Sequence, residues 1–163
     1  MTWLRRGHEP TGSTLRPDSL PDEDSPTELL RAVFTVNRFV NQSSGQLPGR
    51  AVVAARRLTD TLREIIDTSQ VRPLDVYAVV SVKATLTDYL PTTLRTYLAV
   101  GPDVRDLPAR SGQTPAQLLM EQLDSLQLSA DAVLVAARNQ DIDALVNQGN
   151  FLRTKFSGSD LDL

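Results

Sequence analysis

A proline stands inside the most strongly helix-patterned stretch of this chain, and that constrains the fold more than any other feature. The run from Thr87 to Leu98 reads Thr-Asp-Tyr-Leu-Pro-Thr-Thr-Leu-Arg-Thr-Tyr-Leu, with Pro91 flanked by two of the three tyrosines, Tyr89 and Tyr97. Pro91 has no backbone N–H to donate, and its ring presses on the carbonyl of the preceding turn. The apolar face nevertheless resumes at helical spacing through Leu94, Tyr97 and Leu98. Either the helix kinks and continues, or it stops and restarts with Pro91 in its first turn.

Helical patterning extends over most of the chain. Ser25, Pro26 and Glu28 form a capping box with proline at the first helical position, followed by Leu29, Val33, Val36 and Val40, with Leu30 and Phe34 beside them. That helix is expected to end near Asn41, before the Ser43-Ser44-Gly45 loop. A second helix begins around Pro48, with Ala51, Ala54, Leu58, Leu62 and Ile65 on one face and an Asp60–Arg63 pair on the other. A third runs from about Leu74 to Leu90 on a stripe of Val76, Val79, Val80, Val82, Leu86 and Leu90. Gly101-Pro102 stops the run beyond Pro91, and Val104 and Leu107 are expected to pin the loop over residues 101–113. Thr114-Pro115-Ala116-Gln117 opens the last helix as a second capping box. Its apolar positions pass through Leu118, Leu119, Leu123, Leu126, Ala130, Val133, Leu134 and Ala137 to Ile142, Leu145 and Val146. The polar group Asn139-Gln140-Asp141 is a candidate split in this helix, and Gly149-Asn150 a candidate bend.

These patterns predict an all-α fold: four to five long amphipathic helices in an antiparallel bundle or as stacked hairpins, with a proline break at Pro91. Aromatic residues make up only 5% of the chain, so leucine, valine and alanine must build the core, which suits helix packing. Residues 25–156 are expected to form a single helical domain. Residues 1–24, with Pro10, Pro17 and Pro21 and few packing groups, read as a disordered N-terminal tail, and residues 157–163 as a frayed C-terminus.

The residues exclude several chemistries. With no cysteine there is no disulfide, no thiolate metal site and no thiol nucleophile. The one histidine, His8, lies in the tail without fixed partners. Phosphate-cradling glycine motifs and Glu-x-x-His elements are missing, so the expected cofactor set is none, with no metal and no catalytic residues. Glu64 with Asp67, and Asp141 with Asp143, read as solvated carboxylates. The net charge of -3 makes nucleic acid an unlikely partner. No apolar run reaches the roughly 20 residues that cross a bilayer, and Gly7-His8-Glu9-Pro10 follows Arg5 and Arg6 where a signal peptide needs its apolar core. A cytoplasmic location is expected.

Three groups of residues remain as candidates. Arg56, Arg57 and Arg63 give a basic patch to an acidic chain. They read either as a solvated helix flank or as ligands for an anion, an acidic partner or lipid phosphate. Tyr89, Pro91, Leu94 and Tyr97, together with the C-terminal cluster Phe151, Leu152 and Phe156, form the candidate interaction surface for a protein partner or for self-association. In the tail, Trp3 and Leu4 beside Arg5 and Arg6 are a candidate peripheral membrane contact.

The segment Tyr89-Leu90-Pro91-Thr92-Thr93-Leu94-Arg95-Thr96-Tyr97-Leu98 resembles the pattern of bacterial XpaC-like proteins, labelled for 5-bromo-4-chloroindolyl phosphate hydrolysis and neighbours of the toxic-anion resistance proteins. Leu118 to Leu123, Asp141 to Leu145 and Gly149 to Phe156 look like that family's C-terminal helices, so the resemblance covers roughly residues 77–156. It implies a helical domain, and its label implies phosphate-ester processing linked to toxic-anion resistance. It brings no catalytic residues onto positions of this chain. The reading that the residues favour is a helical interaction or scaffold module; the alternative is a phosphate- or oxyanion-binding factor.

Overall fold

The computed structural model describes residues 24–157; within them, the side chains of Asp141, Ala144, Leu145 and residues 147–157 are outside the description. The described residues are all-helical, without a strand. Helix α1 spans Pro26–Gln42, α2 Gly49–Asp67, α3 Val76–Ala84, α4 Leu90–Ala99 and α5 Pro115–Ser157. A π turn, Thr85–Tyr89, joins α3 to α4 without interruption. Short 3-10 turns lie at Thr68–Gln70 and Pro102–Val104. The expected N-terminal tail lies outside the description, except that Asp24 is bound to Lys83 at 2.7 Å.

Local chemistry sets the helix ends. The Ser25 hydroxyl accepts from the Glu28 N–H at 3.3 Å. The other half of that expected box does not form, because the Glu28 carboxylate takes the Arg31 guanidinium at 2.8 Å instead. Thr114 and Gln117 complete their box in both directions, at 2.8 and 3.2 Å. Asp75 caps α3 by accepting from the Ala78 N–H at 2.7 Å, which places that helix start two residues after Leu74. In the loop before α5, Gly112 takes φ 81°, where a side chain would strain the backbone.

Pro91 neither ends nor restarts its helix. Tyr89 and Leu90 keep helical dihedrals, and the Leu90 N–H reaches back five residues to the Thr85 carbonyl. The wide turn gives the proline ring room one turn after the opening. It also solves a register problem. The buried residues Ala78, Val82, Leu86, Leu90 and Leu94 recur at four-residue steps. Each step overshoots a 3.6-residue turn by about 40°, so four steps in a regular helix drift about 160°. A π turn holds one residue more than an α turn, which takes back about 100° and keeps all five on one face. The expected stripe therefore shifts: Val76 and Val80 are exposed, and Ala78 replaces them inside. In α2 the inward alanines are Ala51, as expected, and Ala55, with Ala54 half-buried.

Four rods assemble as two stacked hairpins. The first is α1–α2, antiparallel, with Asn37 accepting from Thr59 at 2.7 Å. The second is the continuous α3–α4 rod with α5, also antiparallel: Ala78 lies near Ala137, and Tyr97 near Leu119. Across the stack, neighbours run parallel. The α3–α4 rod lies along α1, with Lys83 at Asp24 and Arg95 over Phe39. α5 lies along α2, with Gln127 donating to Thr61 and Arg72 donating to Gln140. Leu58, Leu62, Ile65, Leu86, Leu90, Leu94 and Leu123 fill the shared interior, each contributing about 1.5–3 kcal/mol of burial.

Two links are held by arginines rather than by apolar groups. Arg105 donates to the carbonyls of Val100, Gln46 and Leu98 at 3.0, 3.0 and 3.2 Å, and its guanidinium sits 5.1 Å from the Tyr97 ring centre. It pins the loop that Val104 and Leu107 were expected to pin; both of those are exposed. At the other end of the stack, Arg72 donates to the Gln140 backbone and side-chain oxygens, and the Gln140 amide donates to Asp75 at 2.9 Å. Asn139-Gln140-Asp141 thus does not split α5, which also runs on through Gly149-Asn150. At 43 residues it is about 65 Å long. No described helix is long and apolar enough to cross a membrane.

Candidate functional site

The parallel packing of α1 against the π turn and α4 leaves a groove of about 350 Å³. Ala32, Thr35, Val36 and Phe39 of α1 form one wall, and Leu86, Thr87, Pro91 and Arg95 the other. Val36, Leu86 and Pro91 are buried and make an apolar floor. Thr35 and Thr87 stand exposed on the rim, yet their hydroxyls are turned back to the carbonyls of Arg31 and Lys83 at 2.9 and 2.8 Å. That satisfies them within their own helices and leaves the rim less polar than its composition suggests. Arg95 crosses the groove with its guanidinium 5.4 Å from the Phe39 ring centre, a cation–π contact that leaves its N–H edge exposed.

The groove continues along α1. Thr35 also borders a shallow surface with Thr27, Leu30, Arg31 and Phe34. Phe34 is 70% exposed, high for a phenylalanine in the middle of a packed helix. Together the floor, Phe34 and Leu30 make an apolar strip edged by Arg31, Lys83 and Arg95. The carboxylates on this edge are matched to its cations: Glu28 faces Arg31, and Asp24 faces Lys83.

The candidate interaction surface divides. Tyr89 is 53% exposed, but Leu94 is fully buried and Tyr97 is 7% exposed, so both belong to the core, and Tyr97 also lies under the Arg105 staple. Pro91 is buried and shapes the groove floor. The backbone of Phe151, Leu152 and Phe156 belongs to α5, and their side chains lie outside the described residues.

The three arginines diverge. Arg56 hydrogen-bonds the Asn41 amide oxygen at the end of α1. Arg63 leans the other way, 3.9 Å from Asp67, in place of the expected Asp60 pair. Arg57 is exposed. Glu64 holds Arg138 of α5. Among the described residues no group of three or more His, Cys, Asp or Glu side chains is placed to hold a metal ion. Among the described residues, Asp75 carries a clearly shifted carboxyl. The Ala78 N–H, then the Gln140 amide, hold it below the usual carboxylate range against the opposing pull of burial. Its partners are a helix cap and a link, so it reads as a structural group.

Sequence reasoning found Pro91 but missed Phe39, Arg95 and Thr87, whose significance depends on which helix lies beside which. The available signal was weak: Phe34 and Phe39 cannot both face inward on α1, because Leu29, Val33, Val36 and Val40 already fill that face. Compared with known proteins, the chain matches no family model, no curated protein and no solved structure.

Proposed function

We propose that this chain is a helical interaction module that takes an amphipathic partner helix into the groove beside Pro91. The observation that carries this reading is an apolar floor continuous with the exposed Phe34 and edged by the exposed Arg95. A helix docks in such a groove through apolar residues at successive turns. The exposed Arg95 favours a partner that carries an acidic residue beside its apolar ones. The parallel helix pair offers the occupant a rigid, already ordered surface, which lowers the ordering cost of binding.

The test compares capture by the wild-type chain with capture by Phe34→Asp and Arg95→Glu. Both residues are exposed, so the fold survives the changes. A protein bound by the wild type should be lost from both variants, and a synthetic helix from that protein should reproduce the difference. Binding indifferent to both substitutions would refute the groove as the docking site.

The alternative reading, a phosphate- or oxyanion-binding factor, rests on the XpaC-like resemblance and on the basic patch. The engagement of Arg56 with Asn41 and of Arg63 with Asp67 gives it less support. Hydrolysis of a chromogenic phosphate ester by the purified chain, abolished by alanine at Arg56, Arg57 and Arg63, would favour it over the module reading.

A further inference from the structure

Helix α5 carries two apolar stripes on opposite sides. One, through Leu119, Leu123, Ala130, Val133, Leu134 and Ala137, packs against the rest of the fold. The other is exposed along its whole length: Leu128, Ala132, Val135, Asn139, Ile142 and Val146. Leu128, Val135, Ile142 and Val146 are 71%, 56%, 58% and 55% exposed, more than an isolated surface apolar residue would explain. Their spacing alternates four and three residues, the repeat of a two-stranded coiled-coil seam. Leu128, Val135 and Ile142 take the d positions, and Ala132, Asn139 and Val146 the a positions.

We infer that α5 pairs through this seam with α5 of a second copy of the chain, parallel and in register. The polar residue in the seam selects the occupant. A foreign apolar helix would bury the Asn139 amide without a partner. In a parallel in-register pair, Asn139 meets the partner's Asn139, and one amide donates to the other's oxygen; a single asparagine at an a position fixes two strands and their register in this way. The flanking charges agree. Parallel pairing brings Arg138, at g, near the partner's Asp143, at the following e position, twice by symmetry, in addition to the Glu64 carboxylate that already holds it. The antiparallel pairing that retains the most contacts, centred on Ala137, opposes Asn139 to the partner's Val135 and Arg138 to the partner's Arg138. The bundle already holds α5 helical, so association does not have to order the helix. The seam is short, about two and a half heptads, so the dimer is reversible. This surface is separate from the groove beside Pro91, and its failure would leave the groove test unaffected.

Sedimentation equilibrium of the full chain up to millimolar concentration should show a reversible monomer–dimer equilibrium. Val135→Glu with Ile142→Glu should weaken it at least tenfold, with an unchanged melting temperature in dilute solution. Because the chain has no native cysteine, orientation can be read directly. Leu128→Cys and Val146→Cys should each form a homodimeric disulfide on mild oxidation, and a mixture should give no preferred mixed species. A chain monomeric throughout, or a dimer insensitive to the double substitution, overturns the pairing. A disulfide that forms only between Leu128→Cys and Val146→Cys chains overturns the parallel register.

Discussion

Deleting Asp88 removes from the π turn the one residue by which it exceeds an α turn. Asp88 is exposed, and its carboxylate accepts from the exposed Thr92 hydroxyl at 3.1 Å, so the direct loss is small. The faces before and after the turn stay aligned. Pro91, however, then sits inside a regular helix, where the missing donor and the ring clash cost about 3 kcal/mol. Deletion of Asp88 alone should therefore destabilise the fold by about 3 kcal/mol. Combining it with Pro91→Ala should restore stability to within about 1 kcal/mol of the wild type. Pro91→Ala by itself tests the register argument. Closing the turn would gain one hydrogen bond, about 0.5–1.5 kcal/mol. It would also swing Leu90, Leu94 and Tyr97 by about 100° out of the interior, forfeiting roughly 1.5–3 kcal/mol for each. Burial wins, so the wide turn persists and Pro91→Ala should lie within about 1 kcal/mol of the wild type. Urea unfolding of the three variants, followed by far-UV circular dichroism at neutral pH, measures each difference. A wild-type-like Asp88 deletion would show that Pro91 does not need the wide turn. A double variant no more stable than the deletion would show that the extra residue serves something other than the proline.

Asp75→Ala should cost about 1–2 kcal/mol, since it removes the α3 cap and leaves the Gln140 amide without its acceptor. The Asp75 pKa is lowered in the fold, so its contribution is complete above the unfolded value of about 3.9 and fades as pH falls through the folded value. Asp75→Asn should therefore flatten the acid limb of a stability–pH curve while keeping most of the cap. Leu86→Ala should cost about 2–5 kcal/mol and Val80→Ala less than about 0.5 kcal/mol in thermal or urea melts; equal costs would contradict the shifted stripe. Arg105→Met should leave the global unfolding midpoint nearly unchanged. It should speed hydrogen exchange and proteolysis around residues 98–107, where its guanidinium holds the carbonyls of Leu98 and Val100.

What could be read from the residues was local. Thr114 with Gln117, Ser25 with the Glu28 N–H, and the long helices all follow from interactions within one turn, so spacing reveals them. The π turn was legible in principle, since buried positions at repeated four-residue steps cannot stay on one side of a regular helix. It was hidden because Val76, Val79 and Val80 supplied a second stripe, and apolar character alone does not say which stripe finds a partner. The same ambiguity governs α5. Ile142 and Val146 continue the run of apolar positions in sequence, yet they lie across the helix from Val133 and Ala137 and extend past Gln140, whose side chain is tied to Arg72 and Asp75. The choice between an antiparallel bundle and stacked hairpins was likewise out of reach. It rests on contacts such as Arg72 with Gln140 and Arg95 with Phe39, between residues far apart in the chain. The groove is a product of that choice. Placing the α3–α4 rod parallel to α1 brings the wide turn against Phe39 and leaves Phe34 uncovered, whereas an antiparallel neighbour would set the turn against a different part of α1. The candidate site therefore depends on two features together: a proline that opens its helix, which the sequence displays, and a hairpin stacking that only the tertiary contacts decide.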